Sequence, residues 1–296
     1  MWSLSTIDRS APIGVFDSGL GGLTVLQALR ERLPHERFIF LGDSARCPYG
    51  PREPKEVKAF VLQICDHLAR RGCKMIVIAC NTATAAGLPA AQQAFAIPIV
   101  GVVMPGARAA VHMTRNRRVG VIATEGTVQQ GVYGEAIRHL DAGIRVIQKA
   151  TPDFVSIAES GFEEMDEGVA QAAPFSSKEE RQGVAQRYLA PLRMEGIDTL
   201  VLGCTHYPLI QELISQEMGP SVTLVSSAEE TAREVHAILS RRDELRSTGE
   251  GGGVEVLITG DDATKFARVT QKVLGITPSI TKVMLDEAPG MGEVVS

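Results

Sequence analysis

Two short apolar runs in this chain end in the same way, and no other feature limits its fold so strongly. Met75-Ile-Val-Ile-Ala79 leads into Cys80-Asn81-Thr82, and Thr199-Leu-Val-Leu-Gly203 leads into Cys204-Thr205-His206. Each run has the length and the β-branched, aliphatic character of a short buried strand, and each passes through a small residue and a cysteine into a helical pattern. A thiol at such a turn faces the open end of a parallel sheet, where α/β proteins bind ligands. A helix start behind it favours the thiolate. One such thiol would be an ordinary nucleophile. Two, on the two halves of one chain, predict a pair of bases facing a substrate from opposite sides.

The rest of the chain alternates in the same manner. Strand patterns at 13–16, 38–41, 75–79, 99–102, 119–122, 144–147, 199–202, 222–225 and 254–258 are separated by helical patterns at 22–33, 54–71, 82–95, 127–140, 178–194, 228–240 and 262–273. Such alternation implies α/β architecture with parallel sheets covered by helices on both faces. The repeat extends beyond the cysteines, because Ile13-Gly-Val-Phe-Asp17-Ser18 parallels Val119-Gly-Val-Ile-Ala123-Thr124. Two similar parallel-sheet domains, related by an approximate pseudo-twofold axis, would bring both sets of loops to one cleft. The expected division gives 12–104 plus 222–296 to the first domain and 105–221 to the second, with the break near Met104-Pro105-Gly106. Residues 1–11 and 286–296 read as flexible tails, and 241–253 as a polar, Gly-rich loop.

Composition narrows the function classes. The chain has 296 residues, enough for two domains that each bury a core, and 44% hydrophobic with 22% charged residues is the balance of a globular protein. A net charge of −5 argues against a nucleic-acid surface. No apolar stretch reaches the roughly 18 residues of a membrane span. The first dozen residues lack the basic and apolar regions of a secretory signal, so a cytoplasmic protein is expected. Five cysteines at irregular spacing, with no CxxC or Cys/His cluster, predict free thiols and no metal site. Cys65 and Cys73, in and just after a helical pattern, read as structural.

Several residues near the strand ends could carry chemistry. Asp17-Ser18-Gly19-Leu20-Gly21-Gly22 opens a helix, and its glycines would let backbone N–H groups approach an anion. A carboxylate suits it better than a phosphate, since neither GxGxxG nor a Lys-Ser/Thr pair is present. The alternative is a tight turn with Asp17 as a helix cap. Pro48-Tyr49-Gly50 is a turn signal at the open end of the second strand. Asn81, Thr82, Thr205 and His206 could hold carboxylates or cap helices. His206, next but one to Cys204, fits a general acid or a thiolate-stabilising cation. Glu159, in an apolar stretch, is either a solvated helix-end residue or a buried base behind the site.

Taken together, GVFDSGLGGLTVL, FLGDSARCPYGPR, IACNTATA, GVVMPGARAA, ATEGT at 123–127 and VLGCTHYPLI resemble the glutamate racemases, cofactor-independent members of the aspartate/glutamate racemase superfamily. The matching segments run from about residue 13 to 210, and Gly260-Asp261 with the helix around Phe266 resembles the family's last strand–helix unit. The resemblance implies that Cys80 and Cys204 are the catalytic acid/bases, that Asp17 attends the first, and that Glu159 and His206 attend the second. It places Ser18, Pro48, Tyr49, Gly50, Asn81, Thr82, Thr124, Thr127 and Thr205, along with Asp17 and His206, at substrate-contact positions. It implies glutamate as substrate, no cofactor, no metal, and a product destined for peptidoglycan; a homodimer is one assembly such an enzyme could adopt. Met104 departs from the family, standing where many members carry an acidic residue. Aspartate racemisation, a one-cysteine decarboxylase and a non-catalytic amino-acid binding protein are the competing readings. GCTH in place of a GCTE-type ending favours glutamate, and paired thiols favour catalysis over mere binding.

Overall fold

The computed structural model describes residues 8–163, 175, 177–247 and 251–286. The expected tails at 1–7 and 287–296, and 248–250 of the polar loop, lie outside the described residues. Ten strands and eleven α-helices are described, and every strand pair is parallel.

The first sheet is built from β1 (Ile13–Asp17), β2 (Arg37–Gly42), β3 (Met75–Ile78), β4 (Ile99–Gly101), β9 (Gly253–Ile258) and β10 (Ile280–Lys282), in the order β10-β9-β2-β1-β3-β4. The second comprises β5 (Arg118–Ala123), β6 (Arg145–Ala150), β7 (Thr199–Gly203) and β8 (Thr223–Ser226), in the order β6-β5-β7-β8. The arrangement 2-1-3-4 thus recurs as 6-5-7-8, and the first sheet is extended past β2 by the last two strands. In both sheets the chain order reverses at the central strand, β1 or β5, the switch point where open α/β sheets leave a crevice. Cys80 follows β3, the neighbour of β1, and Cys204 follows β7, the neighbour of β5.

The central strands are buried along their whole length, which is why they read as unbroken apolar runs. Helices α1 (Leu23–Arg32), α10 (Ser227–Arg241) and α11 (Ala263–Leu274) cover one face of the first sheet, and α2 (Pro54–Arg70) with α3 (Asn81–Ala94) the other. The second sheet carries α4 (Val103–Met113) and α6 (Val132–Leu140) on one face, and α7 (Asp153–Glu163), α8 (Lys178–Met194) and α9 (Gln211–Met218) on the other.

The structure differs from the sequence reading in several places. Met104-Pro105-Gly106 lies in the first turn of a helix absent from the sequence reading, α4, where proline's missing N–H costs nothing; Val102 still packs with the first unit and Val103 already with the second. The expected 127–140 helix is two, α5 (Glu125–Gln129) and α6, parted by Gly131 at φ +66°. Residues 222–225 were assigned with the first unit, but β8 pairs with β7, so the chain returns to the first sheet only with α10. Residues 8–11 are no free tail: Lys74 Nζ donates to the Arg9 carbonyl at 2.8 Å, and Asp8 takes both the N–H and the hydroxyl of Ser10.

Candidate active site

The carboxyl ends of the two sheets face each other, and the loops that leave them interlock. Residue by residue, the first unit contributes as follows. Asp17 ends β1 with its side chain inaccessible to solvent; Oδ2 accepts the Gly19 N–H at 2.9 Å and Oδ1 accepts the Thr205 hydroxyl at 3.3 Å. The anion in this glycine turn is therefore Asp17 itself. It caps no helix, because α1 has Gly22 at its N-cap without a side-chain bond.

The glycines of that loop serve close approach. A Cβ on Gly22 would lie 2.5 Å from Asp17 Cβ, and one on Gly21 would lie 2.4 Å from Thr205 Oγ1 and 2.6 Å from His206 Nδ1. Thr24 adds a bond from its hydroxyl to the Thr205 carbonyl at 3.2 Å. The first loop of one unit thus sits on the cysteine loop of the other.

Cys80 is the N-cap of α3, and its sulfur accepts the Ala83 N–H at 3.4 Å. Of the two readings open for Asn81 and Thr82, capping does not apply: both occupy the first turn, and their side chains meet Tyr133 and Thr124 of the other unit. Cys80 Sγ also donates to Ser18 Oγ at 3.8 Å. Burial, and then the charge of Asp17, push the Cys80 thiol well above its ordinary pKa, against the Ala83 and Ser18 hydrogen bonds; the charge of Cys204 adds to the rise.

Cys204 has a different setting. No α-helix starts directly behind it; a 3₁₀ turn over Tyr207–Ile210 intervenes before α9. Its sulfur lies 3.8 Å from His206 Nδ1, and His206 Nε2 lies 3.2 Å from Glu159 Oε1. Burial works against the His206 cation, but the hydrogen bonds and charges of Cys204 and Glu159 override it and hold the imidazole well above its ordinary pKa. Glu159 responds inversely: burial raises its pKa, yet the hydrogen bond and charge of His206 bring it below the usual carboxylate value. The open choice for Glu159 resolves as a half-buried residue within α7, paired to His206. Tyr207 pins the loop from behind, donating to the Thr151 carbonyl at 2.9 Å.

Between the two sulfurs' loops lie the other expected residues. Thr82, Thr124 and Thr127 form a triangle of hydroxyls at 2.9, 3.4 and 3.1 Å, drawn from both units. Tyr133 donates to Asn81 Oδ1 at 2.7 Å, while Asn81 Nδ2 is buried without a partner. A buried donor left unpaired costs about 1–3 kcal/mol, so Asn81 Nδ2 is suited to meeting an acceptor. Gly50 accepts the Gly126 N–H at 3.1 Å across the unit boundary. Tyr49 is buried behind that contact, and Pro48, though adjacent, is exposed. The structure so gathers Asp17, Ser18, Tyr49, Gly50, Cys80, Asn81, Thr82, Thr124, Thr127, Glu159, Cys204, Thr205 and His206, and leaves Pro48 at the rim. A groove of about 880 Å³, lined by Thr24, Ala158, Pro208 and Leu209 among others, lies behind the Cys204 loop and includes neither sulfur.

Sequence reasoning gives no role to Tyr133, Asp43 or Cys47. Cys47 rests on Gly19, at 3.1 Å from where a Cβ would be, and burial followed by the charges of Glu159 and Asp17 push its thiol up to about 12. It is a third sulfur at the site, held as a thiol. Among the described residues no group of three or more His, Cys, Asp and Glu is arranged to hold a metal, and no helix is long and apolar enough to cross a membrane.

Comparison with known proteins bears on this geometry. The family described as Asp/Glu/Hydantoin racemase matches residues 22–235. A glutamate racemase of Corynebacterium diphtheriae is 46% identical over 275 residues, covering 93% of this chain and 97% of its own. Among solved structures, a glutamate racemase isoform of Bacillus anthracis superposes with a TM-score of 0.86 at 39% identity, over 94% of this chain and 99% of its own. The Francisella tularensis glutamate racemase, solved in complex with D-glutamate, gives a TM-score of 0.83 at 32% identity, over 94% and 99%.

Proposed function

Since the chain belongs to the Asp/Glu/Hydantoin racemase family, among the glutamate racemases, we propose that it interconverts L- and D-glutamate with Cys80 and Cys204 as its two acid/bases. One observation carries the reading: both thiols end corresponding strands of two sheets with the same strand order, and the loops they open interlock. Inverting an α-carbon requires a base on one face and an acid on the other. A thiol, with an ordinary pKa of about 8.5, holds or releases a proton near neutrality at little cost. With one thiolate and one thiol the reaction runs either way. Cys80 takes the proton of D-glutamate and Cys204 that of L-glutamate, and the opposite sulfur delivers its own.

The surrounding groups suit a substrate with two carboxylates and one ammonium. Asn81 Nδ2, Ser18, Thr205 and the hydroxyls of Thr82, Thr124 and Thr127 supply donors, and Asp17 supplies an acceptor for the ammonium. An ammonium on Asp17 would offset part of the charge that raises Cys80, so binding itself eases that thiol's proton loss. The scheme calls for no cofactor, because fixed N–H groups and hydroxyls in a closed site stabilise the charge that develops on the α-carbon. With both sulfurs buried, substrate entry requires the two units to part. The D-glutamate formed would supply peptidoglycan synthesis in the cytoplasm.

Incubation with L-glutamate in deuterated water tests this directly. The expected product is D-glutamate carrying deuterium at the α-carbon; D-glutamate that retains the substrate's protium would exclude two independent bases.

A further inference from the structure

The loop between β2 and α2 contains a buried carboxylate that the chemistry above does not use. Asp43 is fully inaccessible to solvent and accepts three side-chain hydrogen bonds: from the Tyr49 hydroxyl and from Arg46 Nε at 2.7 Å on Oδ2, and from the Thr259 hydroxyl at 2.7 Å on Oδ1. Its own N–H donates to the Asp17 carbonyl at 2.9 Å. One residue therefore ties the end of β1, the segment after β9 and the Pro48–Tyr49–Gly50 turn together.

That turn is where the first unit meets the second. Gly50 accepts the Gly126 N–H at 3.1 Å, and a Cβ added to Gly50 would lie 3.2 Å from Thr124 Cβ, beside the hydroxyl triangle. Arg52 closes the turn locally, its N–H on the Tyr49 carbonyl at 3.1 Å and its Nε on the Arg46 carbonyl at 2.8 Å, but these bonds do not set the height of the turn over the site. Tyr49 does so from below, with its ring on Phe60 at 5.5 Å and its hydroxyl on Asp43.

We propose that Asp43 is a positioning residue which, through Tyr49, sets the height of the Pro48–Tyr49–Gly50 turn and so the fit of the two units over the substrate. The Asp43 carboxylate has no bond to either cysteine loop, and its N–H bond to Asp17 is kept in Asp43→Asn, so the effect of changing the side chain passes through the turn. Burial and the Asp43 charge raise the Tyr49 phenol well above its ordinary pKa, so it remains a donor to Asp43 across any practical assay range. The consequence for glutamate rests on the racemase reading; the consequence for the turn does not.

The test compares Asp43→Asn, Tyr49→Phe and the double variant. Losing a hydrogen bond to a buried charge predicts KM for both enantiomers raised about tenfold in each single variant, with kcat changed by less than about threefold. Because both substitutions cut the same link, the double variant is expected to be no worse than the worse single one. Amide hydrogen exchange at Gly126 should quicken in each, by more than at Val15 in the core, and this readout stands whether or not glutamate is the substrate. Thr259→Val, which removes a different donor to the same carboxylate, serves if Asp43→Asn does not fold, and should loosen Gly126 in the same sense. Unchanged Gly126 exchange, multiplying effects in the double variant, or a fall in kcat with KM intact would each overturn the proposal.

Discussion

Cys80 and Cys204 occupy matching positions in two sheets of the same strand order, yet their surroundings are opposite in charge. Cys80 caps a true α-helix and has a carboxylate, Asp17, and a hydroxyl, Ser18, as neighbours. Cys204 precedes only a 3₁₀ turn and has an imidazole held in its charged form by Glu159. The fold repeat thus supplies placement, and the neighbours decide where the proton rests. Burial and the charge of Asp17 favour the protonated thiol at Cys80, while the hydrogen bonds and charges of Cys204 and Glu159 favour a cation beside Cys204. The proposed exchange needs one thiol and one thiolate, and the two sulfurs differ in their neighbours, not in their placement.

The harshest way to break this comparison is to remove one sulfur at a time. Cys80→Ser and Cys204→Ser are each expected to lower racemisation by about 10²–10⁴-fold with circular dichroism unchanged. The residual chemistry should be one-sided. Cys204→Ser would exchange the α-hydrogen of D-glutamate with deuterated water, without inversion, and Cys80→Ser would do the same to L-glutamate only. Wild-type racemisation in either variant, or exchange of the same enantiomer by both, would end the assignment.

A smaller effect is expected where each unit's first loop presses on the other. Gly21, after β1, leaves no room for a Cβ beside Thr205 and His206; Gly126, after β5, would place one 2.9 Å from the Gly50 carbonyl. Alanine at either forces an interlocked loop apart, at about 1–3 kcal/mol by analogy with overpacked cores. At Gly19 the nearest atom is Cys47 Sγ at 3.1 Å, the end of a side chain that can shift. Gly21→Ala and Gly126→Ala should therefore raise KM and lower Tm by several degrees, and Gly19→Ala should move neither by more than a fraction of that. A Gly19→Ala variant as impaired as Gly21→Ala would show that loop conformation, and not contact between units, is what those glycines serve.

How much of this could be read beforehand follows from which interactions are local. The strands under Cys80 and Cys204 were legible because buried parallel strands are apolar without interruption, and the turn that follows is built from adjacent residues. The sheet that β8 joins was not, since a four-residue strand carries no record of its neighbour. α7 is hard to see in the sequence because Glu159 and Ser160 interrupt the buried side formed by Phe154, Ile157 and Ala158. The Asn81 partner of Tyr133 and the Thr259 partner of Asp43 come from separate segments meeting in space, and Asp43 beside a turn signal looks like any loop aspartate even though Arg46 and Tyr49 are close by in sequence. Gly21 was read as a backbone approach to an anion; only the arrival of Thr205 and His206 from the other unit shows its purpose.

The finest discrimination between the two halves is by pH. Enantiomers have equal free energies, so kcat/KM must change equally in both directions whatever is mutated, and asymmetry cannot be sought there. It can be sought in the shape of the profile. The His206 pKa is raised, so its cation persists through neutral pH and is lost only as pH climbs through that raised value. Glu159→Gln removes one of the groups that raise it, against the opposing effect of burial. The alkaline limb of kcat/KM should consequently move to lower pH, with about tenfold less activity above it for each unit of displacement. The equivalent change on the other side, Ser18→Ala, removes a hydrogen bond that lowers the Cys80 pKa and leaves His206 untouched, so it should not draw that limb downward. A limb that stays in place in Glu159→Gln, or that falls equally in both variants, would mean that the imidazolium beside Cys204 is not what separates the two halves.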